Sequence, residues 1–320
     1  MIVSGIDEAG YGPVLGPLVV ACCAIQTPDS EDLPCLWDRL GRMVSRSRDK
    51  RGLKLHINDS KQVYSSTIGL KELERSVLCL LDQVHSRING FDDLLDRVDP
   101  ELSGVLTEYP WYASELDQSF PLECDEAVWR ISSNALRAEC EKTHTRCVHY
   151  AAHVMPERQF NDMVLKTRNK ASTSFHWVAK HIHTLLHRFS DQSLVIVCDR
   201  QGGRENYAPV LRLMFEDWSL QIVEETSPRS EYRLVSGQRS ALIVFCEKAE
   251  TISLPVAAAS MLAKYLREAL MRRFNRYWQQ QMPDLSPTAG YYTDGWRFLR
   301  QIEPIRARLG VSDEQLIRSR

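Results

Sequence analysis

The feature that most limits how this chain can fold is a pair of adjacent acids carried on the end of its first apolar segment. Ile2 to Ile6 reads as a short strand that delivers Asp7 and Glu8. A turn follows, Gly10-Tyr11-Gly12-Pro13, then Gly16-Pro17 and an apolar, β-branched run to Ile25 that reads as a second strand. Strands are usually buried, and buried carboxylates must be paired or bound to a cation. Three glycines within seven residues let backbone N–H groups approach a ligand with no Cβ in the way. A lone Asp-Glu at a turn is a solvated pair; more acids in similar positions change that reading. A phosphate-binding loop does not fit, because no Lys-Ser/Thr ends the turn and a strand, not a helix, follows.

Further acids do occur at strand ends. Leu194 to Cys198 is a continuous apolar run, the mark of a central strand covered on both faces, and it ends at Asp199. A strand near Leu242–Phe245 is followed by Glu250, and Pro255-Val256-Ala257-Ala258-Ala259-Ser260 then opens a helix to about Gln280. Arg146 to Val154 alternates and reads as a third strand. Helical segments are expected over about 66–85, 125–141, 157–189 and 206–217, with a strand over 219–225. Three consecutive strands followed by alternating helices and strands predict an α/β fold, a mixed central sheet with helices on both faces. Four acids at the ends of three strands, Asp7, Glu8, Asp199 and Glu250, suit hard divalent cations such as Mg²⁺ or Mn²⁺, which prefer oxygen ligands. Two such ions can activate a water and neutralise a leaving oxygen.

Composition allows this reading and narrows others. The net charge of −2 is uneven: residues 91–143 carry thirteen acids against four basic residues, leaving the remainder at +7. A local basic face is therefore permitted. The acidic block, broken by Pro100, Pro110 and Pro121, is expected to be a solvent-side insertion held away from any polyanion. Basic residues cluster at Arg42, Arg46, Arg48, Lys50, Arg51 and Lys54 in a polar loop. Nine cysteines without a C-x-x-C pair argue against a disulfide framework or a zinc ribbon. His183 and His187 have i, i+4 spacing but lack the glutamate of His-Glu-x-x-His, so a partly exposed helix face is expected. No run approaches a membrane span, and the chain opens directly in a strand, so a cytoplasmic monomer with no membrane partner is expected.

Asp7-Glu8-Ala9-Gly10-x-Gly12-Pro13-x-x-Gly16-Pro17 resembles the opening motif of type 2 ribonucleases H, the ribonuclease HII and HIII group. Lys248-Ala249-Glu250 followed by Val256-Ala257-Ala258-Ala259-Ser260 is similar to the ribonuclease HIII version of the fourth acid. Asp59-Ser60-Lys61 and Gly290-Tyr291-Tyr292-Thr293 are similar to two further family motifs. The resemblance implies a ribonuclease H-like fold as a single domain over 1–320, with an insertion at about 91–143 and a C-terminal extension at about 290–320. It implies a metal-dependent endoribonuclease that cuts the RNA strand of RNA–DNA hybrids, or ribonucleotides embedded in DNA, with two divalent ions on Asp7, Glu8, Asp199 and Glu250. It also implies substrate contacts from Gly10, Tyr11, Gly12, Lys61, Asn161, Asn169, Lys170 and Tyr291. For Lys61 the plain reading, a turn capped before a helix, stands beside the implied one. Three departures are visible: Tyr11 stands between the glycines where the group has Arg or Thr, Asp199 precedes Arg-Gln-Gly-Gly-Arg in place of the common Gly-Asn, and the first catalytic strand begins at residue 2. The alternative is a catalytically impaired, nucleic-acid-binding relative.

Overall fold

The computed structural model describes residues 1–320 apart from 31–32, 114–118, 202–203 and 320. Strands β1 (Ile2–Ala9) and β2 (Leu18–Gln26) form an antiparallel hairpin. A polar connection holds α1 (Leu36–Arg39), the short parallel pair β3 (Val44–Ser45) and β4 (Leu55–His56), and α2 (Ser60–Val63). Helices α3 (Lys71–Val84), α4 (Phe91–Val98), α5 (Leu102–Leu106) and α6 (Glu126–Lys142) precede β5 (Arg146–Met155). Then come α7 (Glu157–Thr167), α8 (Lys170–Phe189), β6 (Leu194–Asp199), α9 (Ala208–Met214), and the strands β7 (Ser219–Glu225), β8 (Arg229–Ser236) and β9 (Arg239–Cys246). A 3₁₀ turn (Ala249–Thr251) leads into α10 (Leu254–Gln281), and α11 (Tyr292–Leu309) and α12 (Asp313–Leu316) close the chain.

The main sheet has seven strands in the order β5-β2-β1-β6-β9-β8-β7. β6 runs parallel to both β1 and β9, and the remaining pairs are antiparallel. The expected mixed sheet with helices on both faces is what the molecule has. Side chains alternate across a strand, so one set of residues (Ile2, Ile6, Val20, Ile196, Ile243) packs under α8 and α9. The other set (Val3, Val19, Ala21, Cys23, Ile25) packs under α3 and α10. Gly5 makes the second contact possible, since a Cβ there would lie 2.1 Å from the Val256 amide nitrogen. Among the described residues no helix is long and apolar enough to cross a membrane.

The structure corrects three expectations. The strand β8 was hidden by its polar residues: Ser230, Tyr232 and Leu234 turn inward while Arg229 and Arg233 face out. The segment read as one helix over 157–189 breaks at Arg168, whose φ of 52° is left-handed, and Asn169 caps the new helix by accepting from the Ser172 amide at 3.0 Å. The largest correction concerns the acidic block. Its first acids are on a helix, α4, and the segment is built into the core instead of lying on the solvent side. Trp111, Tyr112 and Trp129 are buried, with Trp111 stacked on Trp278 at 6.2 Å between ring centroids. Asp99 is buried and accepts from the Val154 amide at 2.9 Å. The acids stay outside or capped while the apolar residues between them pack, which charge counting does not reveal. Trp111→Ala should therefore destabilise the protein by about 3–5 kcal/mol; urea denaturation checks this, and a loss under about 1 kcal/mol would return the segment to the surface.

Glu157, at the start of α7, ties the inner layers to the glycine-rich turn. Its Oε1 accepts from the Gly16 amide and from the Tyr112 hydroxyl, both at 2.9 Å. Full burial pushes its carboxyl up from 4.5 to about 7. A carboxyl with a raised folded-state pKa contributes stability below its unfolded value, and that contribution is lost as pH rises through the folded one. The wild type should lose stability between about pH 4.5 and pH 7 more steeply than Glu157→Gln, by at most about 1.4 kcal/mol for each step of one in pH. Denaturation midpoints at pH 5 and pH 8 give the two slopes; parallel slopes would show that Glu157 does not titrate in this window.

Candidate active site

The first strand pair explains why the acids meet. Ile6 pairs with Cys198 across the parallel β1–β6 ladder, so Asp7 and Asp199 each sit one residue beyond the same rung. Both have the parity of the α10-facing residues, while Glu8 points to the α8 side. Glu250, on the 3₁₀ turn after β9, joins them, because Asp199 pairs with Cys246 and its Oδ1 accepts from the Ala249 amide at 3.1 Å. These four acids line a cleft of about 310 Å³ together with Gly10, Tyr11, Gly12, Asp59, Ser60, Lys61, Ser260, Lys264, Arg267 and Tyr291. Asp59, the cap of α2, is a fifth carboxylate that the sequence reading left in the turn.

Electrostatics mark this cleft. Burial, then the neighbouring Asp199 and Glu8 charges, hold the Asp7 carboxyl well above its usual range. Burial is also the largest cause for Glu8, raised to about 7, and for Asp199 and Glu250, both raised. Lys61 opposes the shift at Asp199 and Glu250. Dehydrated like charges at one spot call for a cation, and an all-oxygen donor set suits Mg²⁺ or Mn²⁺. The residues present fit that group. Among the described residues the compact cluster of three donor atoms within 4.8 Å is elsewhere, at Cys22, His149 and His181.

The Cys22–His149–His181 cluster is poorly disposed to bind metal. The Arg188 guanidinium lies 3.3 Å from His149 Nδ1, and since arginine only donates, that nitrogen accepts. Burial holds this imidazole neutral, with a pKa lowered to about 4, so its Nε2 carries the proton and offers no lone pair. His176, His183 and His187 lie on the exposed face of α8, while His181 is buried with Nε2 3.1 Å from the Val20 carbonyl.

A family model described as Ribonuclease HII matches residues 4–36, the strand pair that carries Asp7, Glu8 and the glycine-rich turn. Over that stretch the chain is similar to ribonuclease HII. Ribonuclease HII of Methanocaldococcus jannaschii is 44% identical over 48 residues, 15% of this chain and 21% of that protein. Ribonuclease HII of Gluconobacter oxydans is 32% identical over 74 residues, 23% of this chain and 36% of that one. The chain thus matches well under two thirds of either relative's length. The ribonuclease H2 structure from Pyrococcus horikoshii superposes with a TM-score of 0.49 at 15% identity, covering 99% of this chain and 92% of that one.

Set against the family motifs, the remaining site residues divide into two groups. Gly10, Tyr11, Gly12, Lys61 and Tyr291 line the cleft. Lys170 stands behind Tyr11, with its Nζ 4.7 Å from the ring centroid. Asn161 and Asn169 have other tasks. Asn161 donates to the Glu314 and Ile317 carbonyls at 3.0 and 2.7 Å and accepts from the Ser319 amide at 2.6 Å, anchoring the C-terminal segment. Asn169 caps α8. Both side chains thus have backbone partners in this structure.

Two supporting residues were missed by the sequence reading. Gln201 donates from Nε2 to Glu8 at 2.6 Å and to Ser174 at 3.1 Å, so one departure from the common motif holds the second carboxylate in place. Its neighbours Gly202 and Gly203 lie outside the described residues. Arg318 reaches back from the end of the chain: its guanidinium donates to the Gly10 carbonyl and, at 3.1 Å, to the Tyr11 carbonyl, while its amide donates to the Val14 carbonyl at 2.8 Å. Gly290, at φ 80°, accepts from the Val14 amide at 2.9 Å, and a Cβ there would lie 2.3 Å from the Leu15 carbonyl oxygen. No signal near Arg318 in the sequence marks it, since its partners lie some 300 residues away.

Proposed function

We propose that this protein is a metal-dependent endoribonuclease that hydrolyses the RNA strand of RNA–DNA hybrids or cuts at ribonucleotides embedded in duplex DNA. The observation that carries the reading is the convergence of Asp7, Glu8, Asp199 and Glu250 on one cleft beside the Gly10–Gly12 turn. These four carboxylates would hold Mg²⁺ or Mn²⁺. When bound, two such ions supply an activated water and charge compensation on the leaving oxygen.

The protein's own residues do the rest. Gln201 fixes the Glu8 carboxylate, and the Ala249 amide fixes Asp199. Ser260, hydrogen-bonded to Ser60 at 3.1 Å, sits beside Asp7 and joins α10 to the Asp59-Ser60-Lys61 turn. Glu268 accepts from Lys264 at 2.7 Å and from the Tyr64 hydroxyl at 2.8 Å, holding that lysine at the cleft wall. Lys61 and Lys264 present positive charge to a phosphate backbone, while the buried Arg267 behind them donates to the Leu15 and Ala289 carbonyls at 3.3 and 2.9 Å. The Gly10–Gly12 amides, steadied by Arg318, can approach a ribose 2′-hydroxyl, the group that separates RNA from DNA.

Asp7→Asn and Asp199→Asn should each abolish cleavage of a labelled hybrid in Mg²⁺ or Mn²⁺ while circular dichroism remains that of the wild type. Full activity in either variant would sink the assignment, and binding without cleavage by the wild type in both metals would identify a non-catalytic relative.

Tyr291 addresses the substrate. It is half-exposed at the cleft, at the N-terminus of α11, with the Arg267 guanidinium 5.6 Å from its ring centroid. Base–aromatic stacking contributes about 1–3 kcal/mol. Tyr291→Ala should slow cleavage at a single embedded ribonucleotide by roughly ten- to a hundredfold, with less effect on a long hybrid. Tyr292, whose ring meets Trp296 edge-on at 6.4 Å, is the control. Equal losses on both substrates, or a larger effect at Tyr292, would place the junction contact elsewhere.

A further inference from the structure

Residues 39–54 contain seven basic residues and one acid, Asp49. Arg42, Arg46, Arg48, Lys50 and Arg51 are exposed, and among the described residues none of them forms an ion pair. The single acid is turned onto its own loop, where it accepts from the Leu53 amide at 2.8 Å and the Lys54 amide at 3.1 Å. From below, Arg75 donates to the Gly52 and Lys54 carbonyls, each at 2.8 Å. The loop between β3 and β4 is therefore folded in advance, with its cations pointing outward. Holding like charges together in this way is unfavourable unless a partner neutralises them.

The loop is also fastened to the cleft. Arg46 donates to the carbonyl of Thr251, the residue after Glu250, and its guanidinium lies 3.6 Å from the Trp37 ring centroid. Asn58, the residue before Asp59, donates to the Arg46 carbonyl at 2.8 Å. The cation row thus begins at the Glu250–Asp59 side of the cleft. Its charges are strung along the loop and do not converge on one point, which suits a linear polyanion better than a single phosphate group.

We propose that this loop is a binding surface for the phosphate backbone of a nucleic-acid duplex, beyond the part of the duplex that enters the cleft. The inference rests on the nuclease reading for its partner. Contacts of this kind read no sequence and little sugar identity, so they add affinity equally for hybrid and all-DNA duplexes.

The test is the triple variant Arg48→Gln, Lys50→Gln, Arg51→Gln in the full chain, which leaves every cleft residue in place. Binding to a fluorescent hybrid and to an all-DNA duplex is measured by anisotropy without divalent metal over a range of salt, alongside steady-state cleavage with it. The plot of log affinity against log salt should become shallower by roughly 2–3 for both duplexes, and KM should rise with kcat unchanged. Arg48→Lys with Arg51→Lys should keep the wild-type slope, separating charge from fold. An unchanged slope and KM in a triple variant of wild-type thermal stability would overturn the proposal while leaving the nuclease reading intact. A wild type that binds with the expected slopes but cleaves nothing would support the surface and defeat the nuclease reading. No duplex binding by the wild type would overturn both.

Discussion

Everything near the cleft depends on holding like-charged carboxylates together where little water reaches them. Asp7 and Asp199 stand side by side because two parallel strands end in register, and Glu8 and Glu250 close around them. All four carboxyls are pushed upward, with burial as the largest cause and repulsion from neighbouring carboxylates, Asp59 included, adding to it. Such an arrangement persists only if the scaffold is rigid, and the ladder supplies that rigidity. Gly5 lets the N-terminus of α10 rest directly on β1, bringing Ser260 to Asp7 and the Ala257–Ala259 turn against the sheet.

The glycine-rich turn is a second rigid body, and its supports come from distant parts of the chain. Glu157 takes the Gly16 amide, Gly290 takes the Val14 and Leu15 amides, and Arg318 takes the Gly10 and Tyr11 carbonyls. A flexible loop would lose conformational entropy on meeting a ligand; a loop already tied at both edges has lost it on folding. The tail that includes Arg318 is in turn held by Asn161. The segment after α11 is thus a structural part of the site, although nothing in its local sequence suggests so.

Charge is sorted by the fold in a way that net totals hide. The acidic segment over 91–143 contributes Trp111, Tyr112 and Trp129 to the core, and several of its acids serve as caps or acceptors: Asp99 for Val154, Asp125 for α6, Glu123 for the start of α3. The basic loop over 39–54 does the reverse, turning its acid onto backbone amides and leaving Arg42, Arg46, Arg48, Lys50 and Arg51 exposed. Segments of opposite charge therefore do opposite work, one in the interior and one on the surface beside the cleft.

The strands that carry the acids were legible in the sequence because strand and acid are adjacent there: an apolar run ending in Asp7-Glu8, another ending in Asp199, and a third shortly before Glu250. The mixed sheet and its two helical layers followed from the same periodicities. Contacts between distant residues were not legible. Gln201 beside Glu8, Arg318 on the turn, Asn161 on the tail and Trp111 on Trp278 are set by packing across hundreds of residues, and no local pattern encodes them. Strand β8 escaped because a half-buried strand with polar outward residues resembles a loop in composition. By itself the sequence determined which acids end strands and that a glycine-rich turn lies beside them. Only the tertiary structure decided which side chains hold those acids and that turn in place, because a hydrogen bond depends on distance in space and not along the chain.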